Sequence, residues 1–311
     1  MKAIVIENYG LAEQLIEKDM PMPKIKDDQV LLELKATSIN PVDWKAREGY
    51  MKEAMPLEFP VILGWDAAGI VKEVGKDVTN YQPGDAVFER PATNDRATYA
   101  EYTAVDERLL AKKPENISFE EAASIPLAGE TAWVALVEKA AIKKGDRVLI
   151  HAGAGGVGSL AIQIAKSFGA YVASTASKKN HELLDSLGVD KIIDYKAEDF
   201  ELLLSDYDIV FDTVGGETQN KSFNVLKKGG ILVSIVGTPD EEKAAEKDVR
   251  TSSFLLDPSG EILSKIGKLI EKGDIKPLLG EVFPLTEEGV RKAHELSETH
   301  HAKGKIGIKI N

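Results

Sequence analysis

One glycine-rich segment lies between a short apolar run and an amphipathic stretch, and its composition suits phosphate binding. Residues 152–158 read AGAGGVG and match the spacing G-x-G-x-x-G. Glycine lets backbone N–H groups approach a pyrophosphate closely, and the dipole of a following helix favours the anion. The segment predicts a dinucleotide site formed by Gly153, Gly155, Gly156, Val157 and Gly158. The alternative is a tight strand-to-helix turn without a ligand, although a turn alone does not need this many glycines.

The end of the second predicted strand bears on which dinucleotide binds. An NAD site usually has Asp or Glu about 20 residues beyond the glycines, where it holds the ribose 2′-hydroxyl. This chain has no acid between Tyr171 and His181. In its place the segment 174–180 (STASKKN) offers hydroxyl groups and the two lysines Lys178 and Lys179. These groups suit a 2′-phosphate, so we predict NADPH. The alternative is that both lysines are solvated residues in the first turn of a helix.

The elements that must position these residues follow from hydrophobic periodicity. From residue 118 onward strands and helices alternate, which is typical of a parallel, doubly wound sheet. The expected strands are residues 147–151, 171–175, 191–194, 208–212 and 231–236. A capping box at Ser118 and Glu121 begins a mostly helical stretch. The expected helical ranges are 119–139, 157–168, 179–187 and 217–227.

The two ends of the chain have a different pattern. Short strands with close turns are expected at residues 30–36, 67–74 and 99–105, and they predict an antiparallel barrel or sandwich. The C-terminal part predicts, in order, a helix, a strand, a helix and a strand at residues 260–272, 281–283, 286–298 and 306–310. For 311 residues, two domains are the natural expectation.

Composition narrows the partners and the compartment. The net charge of −12 opposes binding to nucleic acid and to anionic membrane surfaces. Without cysteine, the chain cannot form a disulfide, a Cys-ligated zinc site or a thiol nucleophile. The opening MKAIVIENYG has the pattern of a strand rather than of a signal peptide, and glycines interrupt the uncharged stretch 148–165. We therefore expect a cytosolic protein without a membrane span.

Several segments, in order along the chain, resemble the medium-chain dehydrogenase/reductase superfamily. Residues 64–69 (GWDAAG) are similar to its G-H-E-x-x-G, residues 38–43 (SINPVD) to its Cys-x-x-Asp segment, and the glycine loop to its A-x-x-G-G-V-G. In the zinc alcohol dehydrogenases, the Cys and the His of the first two segments bind catalytic zinc. This chain has Asn40 and Trp65 at those positions, so the resemblance implies a protein without zinc.

Four further segments resemble the zinc-independent quinone oxidoreductase branch: INPVDWK, PLAGETAW, Asp194-Tyr195 and the C-terminal GKIGIKI. The resemblance implies an α/β fold, with a GroES-like β-rich domain of residues 1–120 and 256–311 and a Rossmann domain of residues 121–255. It also implies a homodimer that transfers hydride from NADPH to a quinone or an α,β-unsaturated carbonyl. Such acceptors need little activation beyond hydrogen bonds to the developing oxyanion, so a metal-free site suffices.

The resemblance also implies which residues hold NADPH. The 2′-phosphate would contact Ser177, Lys178 or Lys179, Asn180 and Tyr195. Thr131 is expected at the nicotinamide half, and Thr213 with Val214 at the adenosine half. Backbone groups of Val236 and Gly237 would meet the carboxamide, and a further cofactor contact is expected at Gly304 and Lys305.

Three residues of the N-terminal part are candidates for catalysis. Asn40 is expected to donate to the substrate carbonyl or to position the nicotinamide, the alternative being a turn-forming residue before Pro41. Asp43 is expected to orient the loop that carries Asn40 rather than to move protons. Tyr50 is either a hydroxyl donor or an exposed loop tyrosine.

Two other functions are compatible with the same motifs. One is an enoyl-thioester reductase, which would need a basic patch for the phosphate of its carrier. The other is an NADPH-binding sensor or interaction protein with weak or lost activity. Turnover with any electrophile separates the two enzymes from the sensor.

The apolar, β-rich run 230–237 bears on assembly. If this run forms the edge of the sheet, its unpaired backbone would invite pairing with a second subunit. Together with the resemblance, this supports the expected homodimer.

Overall fold

The computed structural model describes residues 1–93 and 97–311. In chain order its strands are β1 (Lys2–Ile6), β2 (Ile16–Asp19), β3 (Gln29–Ile39), β4 (Val61–Ile62), β5 (Ala67–Val74), β6 (Ala86–Glu89), β7 (Tyr102–Asp106), β8 (Leu110–Lys112), β9 (Arg147–Ile150), β10 (Tyr171–Ala176), β11 (Lys191–Asp194), β12 (Tyr207–Asp212), β13 (Leu226–Ser234), β14 (Arg250–Ser253), β15 (Leu279–Pro284) and β16 (Lys305–Lys309).

The helices of the same residues are α1 (Pro41–Arg47), α2 (Phe119–Ala123), α3 (Pro126–Trp133), α4 (Gly156–Ser167), α5 (His181–Ser186), α6 (Phe200–Leu203), α7 (Gly216–Ser222), α8 (Glu241–Lys247), α9 (Gly260–Lys272) and α10 (Glu287–Glu298). A π-helical segment, Val134–Lys139, continues α3. Short 3₁₀ turns occupy Ala12–Gln14, Glu107–Leu109 and Lys178–Asn180.

The chain forms two units, and it returns to the first after passing through the second. The first unit comprises Met1–Glu130, Asp257–Gly273 and Pro277–Asn311. The second comprises Thr131–Leu256 and Asp274–Lys276.

The first unit is built around the long strand β3. The first half of β3 pairs with β7, its second half pairs with β16, and β5 lies along its other edge. The resulting seven-stranded sheet has the order β15-β16-β3-β5-β6-β8, with β7 beside β3, and a smaller sheet has the order β2-β1-β4. Alternate residues of β3 are buried, as expected for a strand with one face on the core: Val30, Leu32, Leu34 and Ala36.

The second unit contains a six-stranded sheet with the order β11-β10-β9-β12-β13-β14, and its described pairings are all parallel. The predicted doubly wound sheet is therefore confirmed. The strand order reverses between β9 and β12, and in such sheets ligands bind beyond the carboxyl ends of the strands at this switch point. The glycine loop directly follows β9, and α4 after it buries Leu160, Ala161 and Ile164.

One predicted helix extends too far. The helix expected at residues 217–227 ends at Ser222, because the chain turns there and enters β13 at Leu226. The first residues of β13 read LKKGG, and they carry neither apolar alternation nor a β-branched side chain. Periodicity therefore indicated only the later, apolar part of this strand.

The expected edge strand is not at the edge. β14 was not predicted, yet it pairs in parallel with β13, from Ile231 opposite Arg250 to Ser234 opposite Ser253. This pairing makes β13 an interior strand, so the condition under which residues 230–237 would invite a second subunit is not met. The sequence RTSS of β14 has no apolar alternation, and the strand is recognisable only from its backbone pairing.

Within residues 1–93 and 97–311, no helix combines the length and the apolar character that crossing a bilayer requires.

Candidate functional site

Two glycines of the loop after β9 are required by packing. A methyl group on Gly153 would overlap with Ser174 Oγ, and one on Gly158 would overlap with the carbonyl oxygen of Ala152. The amide of Gly153 also donates to the carbonyl oxygen of Thr175 at 3.1 Å, which ties the loop to the end of β10. Glycine at these two positions therefore lets strand, loop and helix approach one another closely.

Gly155 has a different environment. It is the N-cap residue of α4, and a methyl group there would have no protein atom nearer than 3.4 Å. Together with Gly156 and Val157, it is only half-buried. The first N–H groups of a helix have no partner within the helix, and the helix dipole favours an anion beside them. This open, glycine-lined helix start fits the pyrophosphate of a dinucleotide.

The predicted 2′-phosphate residues lie at the carboxyl ends of two neighbouring strands. Ala176 of β10 pairs with Asp194 of β11, so the next residues, Ser177 and Tyr195, follow adjacent strand ends. The tyrosine is 56% exposed. The 3₁₀ turn Lys178–Asn180 comes next, with both lysines exposed. The arrangement offers hydroxyl and ammonium groups and no carboxylate within the turn, which fits a phosphate.

The other predicted cofactor residues of the second unit follow β12 and β13. Thr213 Oγ1 donates to the carbonyl oxygen of His151 at 2.9 Å, which fixes it beside the glycine loop. Val214 and Val236 are exposed. A methyl group on Gly237 would meet no atom within 4 Å. Thr131, the remaining predicted residue of this unit, lies in α3 and is buried.

His151, which directly precedes the glycine loop, is held by two side-chain contacts. Its Nδ1 lies 3.2 Å from Thr175 Oγ1, and its Nε2 lies 2.9 Å from Ser222 Oγ. Burial lowers the pKa of His151 to about 4, so the ring is neutral at neutral pH. Thr175 Oγ1 also accepts from the amide of Ala152 at 3.1 Å. The histidine thus holds the strand ends from which the loop departs.

Asn40 lies in a buried polar cluster of the first unit. Its Nδ2 donates to Asp66 Oδ2 at 2.7 Å, and its Oδ1 accepts from Lys305 Nζ. The residue is 2% exposed. Both ends of the amide are therefore engaged, and its orientation is set by one cation and one carboxylate.

Asp66 is the centre of this cluster. Its Oδ2 also accepts from Ser38 Oγ at 2.6 Å and from Lys305 Nζ at 3.0 Å, and its Oδ1 accepts from the amide of Leu127 at 2.7 Å. Lys305 Nζ donates in addition to the carbonyl oxygen of Ile39 at 3.1 Å. Because the ion pair is buried and multiply hydrogen-bonded, it joins β16, the end of β3 and the start of α3.

Known proteins match this chain over nearly its full length. Residues 26–115 match a family model described as an alcohol dehydrogenase GroES-like domain, and residues 187–306 match one described as a zinc-binding dehydrogenase. The 2-methylene-furan-3-one reductase of Solanum lycopersicum is 42% identical, over 99% of this chain and 79% of that protein. The chain belongs to the medium-chain dehydrogenase/reductase family.

Two further members are similarly close. The chloroplastic NADPH-dependent alkenal/one oxidoreductase of Arabidopsis thaliana is 41% identical, over 99% of this chain and 79% of that protein. The structure of the quinone oxidoreductase from Coxiella burnetii superposes with a TM-score of 0.93 at 39% identity, covering 100% of this chain and 99% of that one. The predicted combination of a GroES-like and a Rossmann fold is confirmed.

Zinc members of the family bind their metal through side chains at two positions. This chain has Asn40 and Trp65 there, and both side chains are hydrogen-bonded to other protein groups. Asn40 is held by Asp66 and Lys305, and the buried Trp65 donates from Nε1 to the carbonyl oxygen of Thr93 at 3.2 Å. The described residues contain no group of three His, Asp or Glu side chains arranged to hold a metal ion.

The other predicted residues of the first unit differ in how far their side chains are buried. Asp43 Oδ2 accepts from the amide of Asn40 at 2.5 Å, and burial raises the pKa of Asp43 to about 7. Tyr50 is 73% exposed and packs edge-on against Trp44, with ring centroids 6.2 Å apart, so it does not join the buried cluster. Gly304 has a positive φ of 65°, and a methyl group there would overlap with the carbonyl oxygen of Leu278.

The glycine loop and the buried cluster around Asn40 include three buried side chains that were not predicted: Ser38, Asp66 and His151. Ser38 and Asp66 lie inside the two segments that carry the family resemblance, so a search for charged residues within those segments would have found Asp66. His151 directly precedes the glycine loop, but a lone histidine after an apolar strand carries no distinctive spacing. Its role follows only from the contacts with Thr175 and Ser222.

Proposed function

We propose that this member of the family is a zinc-independent, NADPH-dependent oxidoreductase that transfers hydride to an α,β-unsaturated carbonyl compound or a quinone. The observation that carries the proposal is its 41–42% identity, over 99% of the chain, to two plant proteins named as reductases of conjugated carbonyl compounds. The acid-free turn after β10 supports NADPH over NADH, because the usual partner of the ribose 2′-hydroxyl is missing there.

When bound, NADPH supplies the hydride, and the protein binds, orients and shields it. The start of α4 would hold the pyrophosphate, and Ser177, Lys178 or Lys179, Asn180 and Tyr195 would hold the 2′-phosphate. Exposed Val214 and Val236, with Gly237, would line the cofactor along the strand ends.

Within the first unit, we assign Asn40 a positioning role. The residue is almost fully buried, and Lys305 and Asp66 occupy both ends of its amide. Asp43 holds the backbone of Asn40 at the start of α1. Lys305 therefore affects the site by orienting the amide of Asn40. Tyr50 lies in an exposed loop and remains a candidate hydroxyl donor. Conjugated carbonyl compounds accept hydride with hydrogen-bond assistance alone, so the hydrogen-bonded cluster around Asn40 is compatible with this reaction.

The proposal also covers the assembly, the compartment and the partners of the protein. We propose a homodimer in the cytosol that takes a small-molecule substrate and binds neither nucleic acid nor membrane. The acidic net charge of −12 supports the last point, since it disfavours polyanions.

A cofactor titration followed by turnover tests the proposal. NADPH and NADH are titrated while fluorescence is followed, and then a simple enone, 1,4-benzoquinone and 9,10-phenanthrenequinone are added with absorbance followed at about 340 nm. Tighter binding of NADPH than of NADH, with chelator-resistant turnover of one acceptor, is expected. NADPH binding without turnover would favour the sensor function, and turnover that a chelator abolishes would contradict zinc independence.

A further inference from the structure

Ala152, the first residue of the glycine loop, has a backbone conformation that alanine rarely adopts. Its φ of 51° lies in the left-handed region, which is unfavourable for a residue with a Cβ atom. Such strain persists only where the surrounding structure holds the residue in place. The carbonyl oxygen of Ala152 accepts from the amide of Gly155, the N-cap residue of α4, at 3.0 Å. Whatever holds Ala152 therefore also sets the start of this helix.

Thr175 of β10 holds the entry of the loop through two hydrogen bonds. Its Oγ1 accepts from the amide of Ala152 at 3.1 Å, and its carbonyl oxygen accepts from the amide of Gly153 at 3.1 Å. The strand fixes the direction of the carbonyl group, whereas a hydroxyl group rotates about its C–O bond. The hydroxyl oxygen accepts from Ala152 only while its own proton points elsewhere. The contact therefore depends on an acceptor for that proton.

The far end of a hydrogen-bond chain identifies this acceptor. Ser222 Oγ of α7 donates its only proton to the carbonyl oxygen of Thr218 at 2.7 Å. His151 Nε2 lies 2.9 Å from the same Oγ, so Nε2 carries a hydrogen and donates it. Burial lowers the pKa of His151 to about 4, so the ring is neutral and has only this one hydrogen. The other ring nitrogen, Nδ1, is therefore an acceptor.

Thr175 Oγ1 lies 3.2 Å from His151 Nδ1 and donates to it, which completes the chain. Every hydrogen bond in the chain then has the same direction, from the amide of Ala152 through Thr175, His151 and Ser222 to the carbonyl oxygen of Thr218. The three side chains in the chain are buried, so water does not compete for their hydrogen bonds. The chain joins the entry of the glycine loop to α7.

We propose that His151 is a positioning residue for the pyrophosphate of NADPH, which it affects by orienting the hydroxyl of Thr175 on the strained Ala152. The identity of the ligand rests on the proposed function. The backbone of His151 adds a second contact, because its carbonyl oxygen accepts from Thr213 Oγ1 at 2.9 Å. His151 thus aligns the glycine loop with the residue expected at the adenosine half. Loss of the chain weakens NADPH binding and leaves the hydride step unchanged.

Nitrogen NMR of the histidine rings tests the direction of the chain without any cofactor. The ring signals of His151 are those missing from His151→Gln or, if that variant does not fold, those displaced in Thr175→Ser. We expect Nε2 to carry the only ring hydrogen at neutral pH. A hydrogen on Nδ1, or on both ring nitrogens, would overturn the proposal.

Variants of Thr175 test the effect of the chain on cofactor binding. In Thr175→Val the amide of Ala152 and the ring of His151 both lose a partner, so NADPH should bind at least about tenfold more weakly in a fluorescence titration. Thr175→Ser keeps the hydroxyl and should bind NADPH within about threefold of wild type. The control is Ser124→Ala in the first unit, which removes another buried hydroxyl, bonded at 2.6 Å to the carbonyl oxygen of Glu121. Undiminished binding in Thr175→Val, or equal weakening in the control, would overturn the proposal.

A second substitution tests whether the chain acts through the strain at Ala152. Glycine adopts a φ of 51° without strain, so Ala152→Gly added to Thr175→Val should recover at least about threefold of the lost NADPH affinity. At saturating NADPH, Thr175→Val should reduce an enone within about twofold of the wild-type rate. No recovery by glycine, or a rate loss that saturation does not remove, would overturn the proposal. If the wild type binds NADPH but reduces no acceptor, the proposed function fails, while the titrations still decide the role of His151.

Discussion

At the residue scale, the Asp66–Lys305 ion pair fixes Asn40, and its two charges are stable only together. The Lys305→Met variant would leave a buried carboxylate without its cation, so we expect the free energy of unfolding to fall by about 3–5 kcal/mol. Urea denaturation measures this loss. The matched control is Lys309→Met, whose lysine is exposed and lies 3.6 Å from Glu120. It should change stability by less than about 1 kcal/mol, and equal effects of the two variants would contradict a special role for Lys305.

Asp43 gives stability a defined pH dependence. Its pKa is raised from 3.8 to about 7 by burial, so the folded protein binds a proton that the unfolded chain has released between these values. The free energy of unfolding contributed by Asp43 is therefore present at low pH and is lost as the pH rises to about 7, by at most about 4 kcal/mol.

The Asp43→Asn variant lacks this titration. Relative to wild type it should become progressively more stable as the pH rises from 4 to 8, which denaturation of both proteins at each pH measures. The buried histidines His151 and His294 titrate equally in both proteins and cancel in the difference. A difference in stability that does not change with pH would show that Asp43 is ionised throughout.

At the scale of elements, the junction of β9, the glycine loop and α4 depends on close approach. A methyl group in Gly158→Ala would overlap with the carbonyl oxygen of Ala152, so the helix start must move. We expect a loss of stability of about 1–3 kcal/mol and at least tenfold weaker NADPH binding, measured by denaturation and fluorescence titration. Gly267→Ala within α9 is the control, because the nearest atom would be 3.6 Å away. It should stabilise the protein by up to about 1 kcal/mol.

The turn after β10 is the second element with a testable role. Ser177→Asp would place an acid at the strand end, where it would repel a 2′-phosphate and accept from a ribose 2′-hydroxyl. We expect NADPH to bind at least tenfold more weakly and NADH to bind no worse, because a like charge beside the phosphate costs more than about 1.4 kcal/mol. Separate titrations with the two cofactors measure this change. An unaltered preference for NADPH would place the phosphate elsewhere.

At the scale of the whole molecule, β14 forms one edge of the six-stranded sheet, and β11 forms the other. The residues of β14 pair with β13 on one side, and Leu255, just beyond β14, is 97% exposed. An unpaired edge with an exposed leucine favours association of two copies. Light scattering should therefore give a mass near twice the 33.8 kDa of one chain. The Leu255→Ser variant should weaken the dimer, and a wild-type mass near that of one chain would contradict the proposed homodimer.

Sequence alone determined the features that depend on local pattern. The parallel strands after residue 118 follow from apolar runs between helical segments, and the glycine loop follows from its spacing. The start of α2 was predicted from Ser118 and Glu121, whose capping box the structure contains. These features are local, because capping, turn formation and burial of one face act between residues close in the chain.

Tertiary structure decided what depends on residues far apart in the chain. Asn40, Asp66 and Lys305 are separated by up to 265 positions, and no spacing rule links them. The strand β14 has polar side chains and exists because the backbone of β13 is beside it. Glu89 and Glu130 read as ordinary charged residues in the sequence, and only the packing around them buries both carboxyl groups and raises the pKa of each.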